Sequence, residues 1–291
     1  MKSYIFLLSI IIITIGFVAC DGATNETNET NEKNDIGNVN INSVESEKED
    51  ISGQKPTDEH VCMRHVLAIR KKTGDYSCTG MIVGGEVTDG RIIKEITHET
   101  YEEFERIVVS FDNKDIIPRF SARHAENPQT LIFAIDGVRG FKVDLPKEVN
   151  SSLVDVIYPI MTLDDSQVRF GIIFNQQIKF EVYELTEEAR IVVDIIENEM
   201  HVGDGRLYTI RTKKHDFGET IGQIEGFLKF ELGLPEVRML MDSDNMYYVE
   251  AGKYHTIEDA ERMKKKIEEL DIEFEIYIHE IVGNELHCPD C

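Results

Sequence analysis

The chain has no tryptophan, few basic residues and almost no long hydrophobic runs. Its 291 residues include 31 lysines and arginines against 55 aspartates and glutamates, a formal net charge of -24. Because so acidic a chain is repelled by nucleic acids and by anionic lipid, general electrostatic binding to either is excluded. Any contact with an anionic polymer must come from stacking and hydrogen bonds at a local site. Without tryptophan, the ten tyrosines are the expected stacking residues.

Signatures of common enzyme sites are also missing. The sequence has no Walker phosphate loop, no Gly-rich dinucleotide turn and no G-x-S-x-G elbow. The segment His98-Glu99-Thr100-Tyr101-Glu102 begins like a zinc-protease motif, but Glu102 stands where the second His is needed. Paired carboxylates are too frequent in this chain to indicate a glycosidase. We therefore expect a protein that is not an enzyme and that holds no metal or cofactor.

One long apolar run lies at the start of the chain, over residues 4–18. A preceding lysine, the length of the run and a small residue after it are typical of a secretory signal. Cys20 at the cleavage point resembles the lipobox of bacterial lipoproteins, although Phe17 stands where Leu is usual. That resemblance implies that residues 1–19 are a signal peptide and that Cys20 carries the lipid. An uncleaved anchor is the alternative, but a spanning helix needs roughly 20 apolar residues.

Residues 20–60 have a different composition. Asn, Glu, Thr and Ser dominate, and Thr-Asn-Glu repeats three times between Thr24 and Glu32. The few aliphatic residues cannot form a core, so we expect a disordered acidic linker. As a flexible coil, about 40 residues would reach on the order of 35 Å from the membrane. The first 60 residues thus predict an extracytoplasmic lipoprotein that is anchored to the membrane.

A middle domain, residues 61–199, is predicted to be nearly all β. Short apolar runs recur at a regular spacing and are separated by Asp, Asn, Gly and Pro, a pattern typical of a β-sandwich. The predicted strands are residues 66–69, 81–83, 106–111, 131–135, 153–160, 168–173, 180–183 and 190–195.

Two features of this domain carry a family resemblance. The segment from Ile96 to Val109 contains Arg106-Ile107-Val108-Val109, which is echoed by Arg190-Ile191-Val192-Val193 at the end of the domain. This bracketing resembles the AMIN and AMIN-like domains of envelope proteins. The resemblance implies a two-sheet sandwich and, less specifically, targeting to peptidoglycan. A spacer or a protein-interaction sandwich is the alternative.

The C-terminal domain, residues 201–281, is predicted to alternate strands and helices. Strands are expected at residues 207–212, 237–241, 246–251 and 272–281. A helix with one apolar face covers residues 218–232, and Thr256 caps a second helix with Asp259 three residues on. The resulting order, βαββαβ, predicts an α+β domain of the ferredoxin-like type.

The third of these strands is the most specific motif in the chain. It spans Tyr247-Tyr248-Val249-Glu250-Ala251-Gly252-Lys253-Tyr254 and leads directly into the capped helix. This unit resembles a SPOR domain, a module that binds glycan strands of bacterial cell wall. The resemblance implies binding to peptidoglycan, in particular to strands that lack stem peptides. Arg211 and Lys213 depart from the Gln and Gly that are common after the family's first strand.

The period of two along these strands predicts which side chains share a face. Residues such as Tyr247, Val249 and Ile276 point toward the helices, so their neighbours point to the opposite face. Aromatic rings on that face can pack on pyranose rings, and guanidinium groups can hydrogen-bond acetamido oxygens and lactyl carboxylates. We expect an uncovered glycan-binding face that carries Arg211, Arg238, Tyr248, Tyr277 and His279. A solvated face without a ligand, or a protein interface, is the alternative.

Four cysteines remain beside Cys20, and an extracytoplasmic location favours disulfides among them. Of the three pairings, closeness in sequence favours Cys62 with Cys78 and Cys288 with Cys291. A hairpin around Lys72-Thr73-Gly74 would not place Cys62 directly opposite Cys78, so a bulge or another turn would be required.

The Cys-containing tail, residues 282–291, ends in a C-x-x-C motif. A redox pair would need the first Cys at a helix N-terminus, and no helix can follow it at the chain end. Zinc would need four well-spaced ligands, and no second C-x-x-C exists. A terminal disulfide or unstructured thiols are therefore favoured.

Together these patterns predict a non-enzymatic, membrane-anchored envelope lipoprotein that binds peptidoglycan glycan strands through its C-terminal domain. The alternative is a protein-interaction lipoprotein. In that case the β-sandwich binds a partner protein of the envelope, and the C-terminal domain is a scaffold.

Overall fold

A computed structural model describes residues 66–68, 72–199, 206–270 and 272–282, all within one unit of the chain. The predicted signal peptide, the lipidation site Cys20, the linker and residues 283–291 of the tail lie outside these described residues. Within the described part, no helix has both the length and the apolar composition needed to cross a membrane.

Strands make up nearly all of the middle domain. In chain order the strands are β1 (Val66–Ala68), β2 (Met81–Gly84), β3 (Arg91–Thr100), β4 (Glu105–Phe111), β5 (Phe120–Ala125), β6 (Thr130–Asp136), β7 (Val138–Phe141), β8 (Lys147–Glu148), β9 (Val154–Ile160), β10 (Gln167–Phe174), β11 (Ile178–Leu185) and β12 (Arg190–Glu197). They form two sheets, with the strand orders β1-β2-β5-β6-β10-β9-β8 and β11-β12-β4-β3-β7.

Alternating burial along the strands explains how the two sheets pack. In β4, Ile107 and Val109 are fully buried, whereas Arg106 and Val108 on the opposite side of the strand are only partly covered. Apolar residues from the inner faces of both sheets form one continuous core. The expectation of a mostly β domain is therefore confirmed.

The apolar runs in the sequence do not predict β3 or β5. In β3 the charged pair Lys94-Glu95 interrupts the aliphatic residues, and a bulge lies at this point in its pairing with β4. The inner face of β5 consists of Phe120, Ala122 and His124, so bulky apolar residues do not alternate along it. Both strands therefore depend on pairing with neighbouring strands, β3 with β4 and β5 with β6, and not on a local apolar pattern.

The segment that contains Lys72-Thr73-Gly74 does not form a hairpin turn. Strands β1 and β2 are parallel, with Val66 paired to Met81, and parallel strands require a crossover between them. The crossover passes over the five-stranded sheet, where the Gly74 N–H donates to the Glu181 carboxylate at 3.0 Å. Cys78 is disulfide-bonded. Since Cys62, Cys288 and Cys291 lie outside the described residues, the cysteine pairing stays a prediction.

The C-terminal domain follows the order strand, helix, strand, strand, helix, strand. Its sheet, which we call the terminal sheet, has the order β14-β15-β13-β16 with all neighbours antiparallel. A π-helical turn at residues 227–231 continues the first helix. The elements are β13 (Arg206–Thr212), α1 (Glu219–Gly226), β14 (Arg238–Met241), β15 (Tyr247–Tyr254), α2 (Ile257–Glu268) and β16 (Ile276–Val282).

Local sequence explains the start of α2 and an irregular point inside β15. The Thr256 hydroxyl accepts a hydrogen bond from the Asp259 N–H at 3.2 Å, so α2 begins with the predicted cap. Gly252 in β15 has a φ of +71°, and a Cβ there would lie 2.4 Å from the Tyr254 hydroxyl oxygen. Only glycine fits this irregular point of the strand.

The two domains share an apolar core. Residues on the outer face of the seven-stranded sheet, among them Ile132 and Tyr158, pack with Leu228 and Met239 of the C-terminal domain. The Tyr158 hydroxyl donates to the Met239 carbonyl at 3.1 Å. Because this contact is apolar and continuous, the C-terminal domain is braced against the sandwich.

Candidate functional site

Three of the five predicted glycan-binding residues lie in one row across the terminal sheet. Strand register places Arg238 opposite Glu250, Glu250 opposite Arg211, and Arg211 opposite Tyr277. Tyr248 lies opposite Leu240, and His279 lies opposite Thr209. The alternation along the strands thus does bring the predicted side chains to one side of the sheet.

That side of the terminal sheet is covered, so the prediction of an uncovered face is wrong. The exposed fractions are 0% for Arg211, 2% for Arg238, 1% for Tyr248 and 7% for His279. Tyr277 is half-buried. The four buried residues of this set cannot contact a polymer in solution in this conformation.

The turn between β5 and β6 accounts for the burial of Arg238. The guanidinium donates to the Pro128 carbonyl at 3.2 Å and to the Thr130 hydroxyl at 3.3 Å, and it also donates to the Asn127 carbonyl. The edge strand β14 packs against the sandwich, so the side of β14 that faces away from its own helices meets this turn. The sequence of the C-terminal domain contains no signal of this contact.

Glu250 holds both arginines of the terminal sheet. One carboxylate oxygen lies 2.9 Å from Arg211 Nε, and the other lies 2.7 Å from a terminal nitrogen of Arg238. Burial alone would raise the pKa of Glu250, but Arg238 and Arg211 outweigh it and lower the pKa. The Arg211 guanidinium also lies over the Tyr248 ring, 5.1 Å from its centroid. One buried carboxylate thus holds two buried guanidinium groups in place, which indicates a structural role.

A second group of aromatic and cationic residues lies on the outer side of the five-stranded sheet. Tyr101 and Phe104, in the turn between β3 and β4, stack with ring centroids 4.6 Å apart. The Arg106 guanidinium lies 5.4 Å from the Tyr101 centroid and 5.0 Å from the Phe104 centroid, and Lys72 Nζ lies 4.7 Å from the latter. We call Lys72, Tyr101, Phe104 and Arg106 the aromatic–cation surface.

Asp194 anchors the two cations of this surface. Its carboxylate is fully buried and lies 2.6 Å from Arg106 Nε and 2.6 Å from Lys72 Nζ. Burial alone would raise the pKa of Asp194, but Arg106 and Lys72 lower it overall, and the hydrogen bond to Asp194 raises the pKa of Lys72. The Tyr183 hydroxyl lies 3.4 Å from the same carboxylate.

Unlike the terminal sheet, the aromatic–cation surface is open to solvent. Tyr101 is 42% exposed, and the side chains of Lys72 and Arg106 are 42% and 24% exposed. An exposed ring beside two anchored cations can stack on an apolar ring face while the cations bind oxygen atoms around it. This arrangement offers one exposed ring and two anchored cations to a ligand.

Sequence reasoning did not select these residues as a site. Tyr101, Phe104 and Arg106 lie inside the segment that resembles AMIN domains, and alternation with Ile107 places Arg106 on the outer side of β4. That signal was available in the sequence. Lys72 could not be found, because only the crossover between parallel strands brings it to Asp194.

Comparison with known proteins does not place the chain in a family. The chain matches no model of a known protein family, and no curated protein is similar to it. The SPOR and AMIN resemblances therefore stay predictions that depend on the residues quoted for them. Among the described residues, His, Cys, Asp and Glu side chains form no group of three or more that could hold a metal ion.

Proposed function

We propose that this chain is a non-enzymatic, lipid-anchored protein of the cell envelope that binds glycan strands of peptidoglycan. Cys20 carries the lipid, residues 20–60 are the tether, and the folded domains lie outside the cytoplasm. The aromatic–cation surface of the sandwich, rather than the terminal sheet, binds the glycan.

The exposed stack of Tyr101 on Phe104 beside Lys72 and Arg106 carries this proposal. Since the chain has a net charge of -24, attraction between the whole protein and an anionic wall polymer is not available. Binding then depends on local stacking and on local cations. The aromatic–cation surface supplies both within a few ångströms.

The folds of the two domains support the same proposal. Two β-sheets around one core suit an AMIN-like sandwich, and the strand order β14-β15-β13-β16 with helices α1 and α2 suits a ferredoxin-like SPOR domain. In this proposal the C-terminal domain braces the sandwich, because its own predicted binding face is buried.

Sedimentation with isolated cell-wall sacculi tests the proposal. The purified full-length chain should pellet with sacculi, and Tyr101→Ala should weaken binding about five- to tenfold because the exposed ring is lost. Tyr101→Phe keeps the ring and should bind like the wild type. The matched control is Phe230→Ala, which removes an aromatic residue that is 77% exposed on the C-terminal domain.

Two outcomes would contradict the glycan proposal. One is a wild-type chain that pellets no more than it does without sacculi. The other is a Tyr101→Ala variant that pellets as well as wild type while circular dichroism shows it folded.

A second candidate is a protein-interaction lipoprotein in which the sandwich binds a partner protein. The shared apolar core supports it, because a C-terminal domain packed in this way on the sandwich is suited to serve as a scaffold. Capture of an envelope protein by the wild type but not by Tyr101→Ala, without any binding to sacculi, would select this function.

A further inference from the structure

A groove of about 530 Å³ lies where one end of the seven-stranded sheet meets the end of β11. Strands β2, β5, β6 and β10 form its floor, and the end of β11 closes one side. This volume lies in the range that holds a small ligand or a peptide side chain. Nothing in the proposed glycan function uses this groove.

Glu184 is the least expected residue of the groove. It is only 8% exposed, and one carboxylate oxygen accepts a hydrogen bond from the Gly85 N–H at 2.7 Å. Among the described residues, no lysine or arginine is paired with this carboxylate. A buried carboxylate is costly without a cation, so its position at the groove wall favours a positively charged ligand.

Gly84 leaves the space that the Glu184 carboxylate occupies. A Cβ at Gly84 would lie 2.3 Å from the Glu184 carboxylate oxygen and 2.7 Å from the Phe120 ring. Any side chain at this position would displace the carboxylate. The strand β2 is thus shaped around a carboxylate that comes from the other sheet.

The remaining charges in the groove agree with a cationic ligand. Glu86 and Asp136 add two carboxylates, against one arginine, Arg119. Arg119 lies 4.0 Å from Asp136, and both side chains are more than half exposed, so this pair is weak. The groove therefore keeps an excess of negative charge next to the buried Glu184.

The apolar and polar groups of the groove indicate the size and shape of the ligand. Met81, Val83 and Ala134 offer apolar surface for a short chain of methylene groups, and Ser121, Gln167 and Thr186 offer hydrogen bonds. A primary ammonium on a flexible aliphatic stem, attached to a peptide backbone, matches these features.

We propose that this groove binds a peptide through the ammonium group of a lysine-like side chain. The ammonium pairs with Glu184, the aliphatic stem lies on the apolar floor, and the peptide amides meet the polar rim. Glu86 and Asp136 attract the cation to the groove.

Calorimetry with two short peptides tests this site on the full-length chain. Acetyl-Ala-Lys-Ala-amide should bind at low salt, and the same peptide with norleucine in place of lysine should bind at least about tenfold more weakly. Glu184→Gln keeps an acceptor for the Gly85 N–H but removes the charge, and it should also weaken the lysine peptide at least about tenfold. The matched control, Glu261→Gln, removes an exposed carboxylate on α2 and should change nothing.

The outcomes separate this site from the glycan proposal. Tyr101→Ala should bind the lysine peptide like the wild type, whether or not it binds sacculi. If Glu184→Gln does not fold, Asp136→Asn at the exposed rim should still weaken binding several-fold. Equal affinity for both peptides, no measurable binding of either peptide, or full affinity in a folded Glu184→Gln variant would overturn the proposal.

Discussion

The terminal sheet and the aromatic–cation surface are built from the same kinds of residue and differ in exposure. In the terminal sheet, Arg211 lies over Tyr248 and is held by Glu250. On the sandwich, Arg106 lies beside Tyr101 and is held by Asp194. Arg211, Tyr248 and Glu250 are at most 2% exposed, whereas Tyr101 is 42% exposed.

This difference in exposure shows that a buried carboxylate can hold two cations either inside the protein or at its surface. Glu250 and its two arginines are all sealed from water, so their desolvation must be offset by pairing within the protein. Asp194 is equally buried, but Lys72 and Arg106 keep part of their hydration and can contact a ligand. The first network holds a structure together, and the second holds cations in place at a surface.

The largest effect is expected from Glu250→Gln. This change removes the carboxylate charge that Glu250 shares with the buried Arg211 and Arg238, and we expect a loss of about 3–5 kcal/mol in the free energy of unfolding. Urea denaturation followed by circular dichroism measures it. Glu275→Gln is the control, since it breaks an ion pair with Lys213 in which both side chains are exposed.

A denaturation midpoint for Glu250→Gln within error of the wild type would contradict the structural role of the terminal network. We expect instead that only Glu275→Gln leaves the midpoint unchanged.

The second largest effect is expected on the stability of a variant at the buried Tyr248, compared with one at the exposed Tyr101. Tyr248→Ala removes a ring that is 1% exposed, and we expect a loss of about 3 kcal/mol in the free energy of unfolding. Tyr101→Ala removes an exposed ring and should leave this free energy nearly unchanged. Equal losses of stability in the two variants would remove the distinction between a buried and an open surface.

Much of this architecture could be predicted from the sequence. The run of aliphatic residues in β12 and the alternation in β15 follow from the requirement that one face of each strand be buried. The cap at Thr256 follows from local hydrogen bonding. These features depend on residues that are close in sequence, so short segments contain the information.

The exposure of the candidate site could not be predicted in the same way. Alternation correctly places Arg211 and Tyr248 opposite the helices, but it does not say whether a second structure covers that side. The cover over Arg238 comes from Pro128 and Thr130, more than 100 residues earlier in the chain. Packing between domains decides such contacts, and it has no short-range signature.

The smallest expected effect is on the free energy of unfolding at low pH. Folding lowers the pKa of Asp194, so this carboxyl stabilises the protein above its unfolded pKa of about 3.9, and the contribution is lost as the pH falls through the folded-state pKa. Asp194→Asn cannot lose this contribution, so its stability should fall less steeply below pH about 4, by on the order of 1 kcal/mol. Unfolding free energies measured from pH 2 to 7 give both slopes. Because Lys72 and Arg106 reach solvent, high salt should weaken the Asp194 contribution in the wild type, whereas the sealed network around Glu250 should resist screening. Parallel curves for wild type and Asp194→Asn would mean that the cations are not held by Asp194, and the aromatic–cation surface would lose its anchor.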